Sequence, residues 1–149
     1  MEFRTIEEIL DFAIRREEAA AELYLTMADR VTRPEMREAL LGFAEEEKRH
    51  KQRLVKIKAG ELPSISEEKI HNLKIAEYVE PPEVSARMDY PEALRFAMNS
   101  EKAAFRLYSD LAAISPATHA AVFRSLAQEE AKHKLRFEVE YEDNVLRSW

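Results

Sequence analysis

Displaced by 84 residues, the chain falls on itself: Leu10, Phe12, Ala13, Glu17, Ala19, Ala20, Leu23, Tyr24 and Ala28 meet identical residues Leu94, Phe96, Ala97, Glu101, Ala103, Ala104, Leu107, Tyr108 and Ala112. After a one-residue deletion the match resumes, and Ala44, Glu46, Glu47, His50, Lys51 and Arg53 meet Ala127, Glu129, Glu130, His133, Lys134 and Arg136. A duplicated hairpin tightly constrains the fold, because any position that must be buried in one half must be buried in the other. The apolar residues advance in steps of three and four, the period of a helix that buries one stripe. In the first such segment that stripe is Ile6, Leu10, Ala13, Glu17, Ala20, Tyr24, Met27 and Val31, with a carboxylate standing in a core place.

The other stripes carry the same anomaly. Met36, Leu40 and Phe43 lead to Glu47 and His50, then to Leu54 and Ile57. Tyr90, Leu94 and Ala97 lead to Glu101, then to Ala104, Tyr108 and Leu111. Phe123 and Leu126 lead to Glu130 and His133, then to Phe137 and Tyr141. Spacing alone carries little, since the chain has 24 Glu and three of its four His follow a Glu by three residues. Register separates them: Glu68 and His71 lie on no apolar series and read as surface. An unpaired carboxylate on a buried stripe is costly unless it is paired, protonated or metal-bound.

Start and stop signals divide the 149 residues into one all-α domain. Thr5-Ile-Glu-Glu8 has the form of a capping box, Thr32-Arg-Pro34-Glu35 opens a second helix, and Gly60 is placed to end it. Asp89-Tyr-Pro91-Glu92 opens the third long helix and Ser115-Pro116 the fourth. The expected helices cover about 6–31, 33–59, 90–114 and 116–146, with a Pro-punctuated crossover at 61–88 holding at most one short helix from Glu67. Four striped helices and no strand signal make a four-helix bundle of two duplicated hairpins joined by a long crossover.

Glu17, Glu47, His50, Glu101, Glu130 and His133 then meet at the bundle centre as four carboxylates and two imidazoles, a ligand set for two divalent ions. Four negative charges balance two dications. Oxygen-rich ligation with one His per ion suits iron or manganese, with zinc as a possible substitute. Glu47 and Glu130 are expected to bridge, Glu17 and Glu101 to be terminal, and His50 and His133 to take one ion each. Tyr24 and Tyr108, two turns beyond Glu17 and Glu101, are placed to bond a ligand carboxylate across the bundle. Glu46 and Glu129 are placed to accept the second N–H of the facing His. No Lys or Arg occupies the metal-facing stripes, which speaks against a scaffold held by buried ion pairs.

Glu17-x-x-Ala20-x-x-x-Tyr24, Glu47-x-x-His50, Glu101-x-x-Ala104-x-x-x-Tyr108 and Glu130-x-x-His133 together resemble the rubrerythrin-like branch of the ferritin-like di-iron carboxylate proteins. The resemblance spans all four helices. It implies a ferritin-like bundle with a long crossover, two Fe ions, and reduction of hydrogen peroxide with electrons from rubredoxin or a similar external donor. The chain departs from the family in two places. It has no Cys, so it holds no Cys-ligated rubredoxin centre, and the extra carboxylate expected one turn after the third-helix Glu falls on Ala104.

The absence of Cys also excludes disulfides, iron–sulfur clusters and thiol catalysis. A net charge of −6 without a basic block argues against nucleic acid or an anionic membrane as partner. No apolar run suggests a signal peptide or a membrane span, so a cytoplasmic location is expected. Phe12, Leu23, Phe96 and Leu107 form a second apolar strip, expected to join the first and third long helices, to form a homodimer surface, or both. Beside the peroxidase reading stand a ferroxidase feeding an iron store, which needs a closed shell, and an oxygenase of a small organic substrate, which needs an apolar pocket. Peroxide or dioxygen would be the oxidant.

Overall fold

The computed structural model describes residues 3–73 and 88–146. Helix α1 spans Ile6–Arg30, α2 Pro34–Ala59, α3 Glu67–His71, α4 Tyr90–Ile114 and α5 Ala117–Tyr141, which runs into a π-helical turn at Glu142–Leu146. Helix α1 packs along α2, α4 packs along α5, and the two hairpins meet most closely through α1 and α4. Among the described residues there is no strand, and the architecture is the helical bundle of the ferritin-like class. No described helix is long and apolar enough to cross a membrane. Much of the expected crossover, residues 74–87, lies outside the described residues.

Helix ends follow local chemistry, with two departures from expectation. The Thr5 hydroxyl accepts from the Glu8 N–H at 3.2 Å and the Asp89 carboxylate from the Glu92 N–H at 2.8 Å, satisfying donors the first turn leaves free. Gly60 closes α2, its N–H bonded to the Lys56 and Ile57 carbonyls. Thr32 does not cap α2, however. Arg33 holds the N-cap place without a side-chain bond, and Pro34 starts the helix in the position where its missing N–H is harmless. Similarly Pro116, not Ser115, precedes α5, while the Ser115 hydroxyl turns back to the Leu111 carbonyl at 2.6 Å.

The apolar interior is split in two. One cluster gathers Ile9, Leu10, Leu54, Leu111, Phe123 and Leu126, together with Ile70 of α3. The other gathers Met27, Met36, Leu40, Leu94 and Phe137. Between them lies a polar layer in which Glu17, Glu47, Glu101 and Glu130 have no solvent exposure. Of the second apolar strip, Phe12, Leu23 and Leu107 are buried within the single chain and Phe96 is half-buried. The strip is therefore used largely inside the bundle, which leaves little of it for a second copy.

A further buried carboxylate pins the far end. Glu140 accepts from Arg33 at 3.1 Å, from the Tyr90 hydroxyl at 2.7 Å and from Asn144 at 2.9 Å. It thereby ties the start of α2 and the start of α4 to the end of α5. Truncating Phe123, which is fully buried, should cost about 3–5 kcal/mol. Urea unfolding of metal-free Phe123→Ala is expected to show a lower midpoint with an unchanged slope.

Candidate metal centre

The stripe register carries Glu17 on α1, Glu47 and His50 on α2, Glu101 on α4, and Glu130 and His133 on α5 to the polar layer. Glu17, Glu47, His50 and Glu130 each offer a ligand atom within 4.8 Å of the others, and so do Glu47, Glu101, Glu130 and His133. Glu47 and Glu130 belong to both groups; each of the remaining four belongs to one. The His50 and His133 rings lie parallel with centroids 6.2 Å apart. Both turn Nδ1 inward: His50 Nδ1 is 3.0 Å from Glu130 and 3.6 Å from Glu17, and His133 Nδ1 is 2.9 Å from Glu47 and 3.7 Å from Glu101.

Outer atoms are held while inner ones are left over. The Tyr24 hydroxyl donates to Glu101 and the Tyr108 hydroxyl to Glu17, each crossing between α1 and α4. Burial, with the neighbouring carboxylates next, pushes both phenols well above their ordinary range, so they remain donors at neutral pH. On the outer side His133 Nε2 meets Glu46, and His50 Nε2 lies 3.3 Å from Glu129, which also accepts from Arg53 at 3.0 Å. Each predicted ligand nevertheless retains a buried atom without a hydrogen-bond partner: Glu17 Oε2, Glu47 Oε1, both ring nitrogens of His50, Glu101 Oε2, Glu130 Oε1 and His133 Nδ1. Buried polar atoms are rarely left so, and here the leftovers share one layer. The donor set, carboxylate oxygens and one imidazole nitrogen per group, fits a pair of divalent ions such as iron or manganese.

No Lys or Arg stands on the metal-facing stripes, but the inference drawn from that against buried ion pairs is wrong. Arg16, only 4% exposed, donates to Glu47 at 2.6 Å, to Glu101 at 3.0 Å and to Glu130, and its nearest contact with Glu17 is 3.3 Å. Arg16 sits one residue before Glu17, off the metal-facing stripe but within reach of it through its long stem. A signal was present: between Phe12 and Leu23 of the second strip, steps of four, three and four pass through position 16, as in the other half Phe96 leads to Ser100 and Leu107. The duplication fails there, a cation facing a small hydroxyl. His71 is exposed, as expected for a surface pair, and the buried Ala104 puts no further carboxylate in the layer.

Charge in the layer is shared unevenly. Burial alone would raise Glu17, but the Arg16 guanidinium outweighs it and holds the carboxyl at about 2. Burial and the other three carboxylates push Glu47 well up. Burial opposes protonation of His50, yet Glu130 and Glu17 prevail and raise it to about 10; His133 is raised in the same way by Glu101 and Glu130. A surface groove of about 450 Å³ between α1 and α2 reaches Glu17, with Glu18, Lys48 and Lys51 on its rim.

These features define a class: a helical bundle of two like hairpins with a buried carboxylate–histidine centre. The sequence matches the rubrerythrin family model over residues 8–141, and the chain belongs to that family. A hypothetical protein from Pyrococcus furiosus has a similar solved structure, with a TM-score of 0.71 and 26% identity over 93% of this chain and 89% of that one. No curated protein matches.

Two outcomes follow. Metal ligation needs neutral imidazole, so binding at neutral pH should expel protons. Calorimetry in buffers of different ionisation enthalpy should show this, with affinity rising with pH; a pH-independent affinity would count against the assignment. Replacing Glu46 or Glu129 with Ala should weaken metal binding by about 10- to 100-fold, because the facing imidazole loses its orienting acceptor.

Proposed function

We propose that the chain is a di-iron carboxylate redox protein that reduces hydrogen peroxide with electrons from an external donor protein such as a rubredoxin. The observation that carries the reading is that Glu17, Glu47, His50, Glu101, Glu130 and His133 all keep a buried polar atom without a hydrogen-bond partner. Membership of the rubrerythrin family supports iron as the metal and oxidoreduction as the activity class.

In this reading Glu47 and Glu130, common to both groups, would serve both ions, Glu17 with His50 would hold one and Glu101 with His133 the other. Iron bound there would supply the two electrons that, with two protons, take one peroxide to two waters. Tyr24 and Tyr108 hold one oxygen each of Glu101 and Glu17 and leave the other without a protein partner, where it would serve an ion. Glu46 and Glu129 fix the imidazole rings from outside. The apolar clusters on both sides exclude bulk water, which strengthens every electrostatic contact in the layer. With no Cys in the chain, the donor is a separate redox centre, and a cytoplasmic setting would supply it.

The test is anaerobic stopped-flow spectroscopy of the iron-loaded, reduced protein. Rapid oxidation by peroxide and slow oxidation by dioxygen are expected. Faster oxidation by dioxygen, with ferric iron released or mineralised, would instead identify a ferroxidase.

A further inference from the structure

We infer that Arg16 is a built-in counter-cation of the metal centre, and that metal loading is an exchange in which the guanidinium leaves the layer as the ions enter. The inference rests on the di-metal reading above and adds a residue to it. Arg16 hydrogen-bonds Glu47, Glu101 and Glu130, the whole carboxylate set of the group that contains His133. With Glu17 it makes only an ion pair, at 3.3 Å. Arg16 holds Glu47 Oε2, Glu101 Oε1 and Glu130 Oε2 and leaves the other oxygen of each without a partner, so a dication on the same three carboxylates would sit against the guanidinium, and the two cations compete for one set of counter-charges.

The fork of Arg suits this role because it stays charged at any physiological pH and can hold several carboxylates at once. It does not complete the layer. One guanidinium faces four carboxylates, its own Nε lacks a partner, and all six ligands keep a buried atom without a hydrogen-bond partner. The pseudo-symmetric position is Ser100, buried and with its hydroxyl also unpartnered, so only one half of the duplication carries the device. The His133 place is therefore the contested one, and the Glu17–His50 place is expected to fill first.

The competition lowers apparent affinity by the fraction of molecules in which the guanidinium is already out. Calorimetric titration of metal-free protein with Mn(II), wild type against Arg16→Met and Arg16→Gln, measures it. The variants are expected to bind about tenfold or more tightly, mainly at the second ion, while their metal-free forms melt at lower temperature than wild type. Equal or weaker binding by the variants, with wild type still taking two ions, would overturn the exchange and leave the di-metal reading intact. Binding by neither form would overturn both.

If the variants do not fold, the wild type itself decides. With ¹⁵N-arginine labelling, one slowly exchanging guanidinium signal should be present in the metal-free protein. It should shift or exchange rapidly on addition of Zn(II). A signal unmoved by two bound equivalents would overturn the proposal.

Discussion

Four carboxylates stand in a layer with no access to water, and every other feature of the bundle answers that fact. Buried alone, such charges would cost far more than a domain's net stability. The fold tolerates them through partners of graded strength: two tyrosine hydroxyls, one guanidinium and two imidazoles drawn toward protonation. These partners restrain the carboxylates without using them up. Each of the four carboxylates has one oxygen held by a tyrosine or by Arg16 and its other oxygen without a hydrogen-bond partner.

The duplication supplies that geometry economically. One Glu per first helix and one Glu-x-x-His pair per second helix, repeated, place both imidazoles on the same layer with parallel rings. Each hairpin also supplies the tyrosine that restrains the other hairpin's terminal Glu, so neither half completes its own centre. Apolar clusters on both sides clamp the layer, and the Glu140 bonds to Arg33 and Tyr90 tie the hairpins together at one end. Departure from symmetry at Arg16 and Ser100 makes the two carboxylate–histidine groups chemically unequal.

Much of this was legible because the signal was periodic. A Glu in the place where a Leu belongs, as at Glu17 or Glu101, announces a buried charge, and its recurrence 84 residues on removes coincidence. The reach of Tyr24 and Tyr108 across the bundle follows from the same register. Arg16 was missed because stripe counting follows Cα positions, whereas a long side chain enters a layer from the neighbouring row. Glu140 was missed because its neutralising partners, Arg33 and Tyr90, lie 107 and 50 residues away, and no local pattern encodes them. The caps of α2 and α5 differ by a residue or so from expectation because Pro can begin a helix without a side-chain acceptor before it.

The most direct measurement is anomalous diffraction at the iron absorption edge from crystals grown anaerobically with Fe(II). Two peaks are expected in the polar layer, one against His50 and Glu17, the other against His133 and Glu101, with Glu47 and Glu130 touching both. A single peak, or iron only on the surface while Arg16 still holds the carboxylates, would contradict the account.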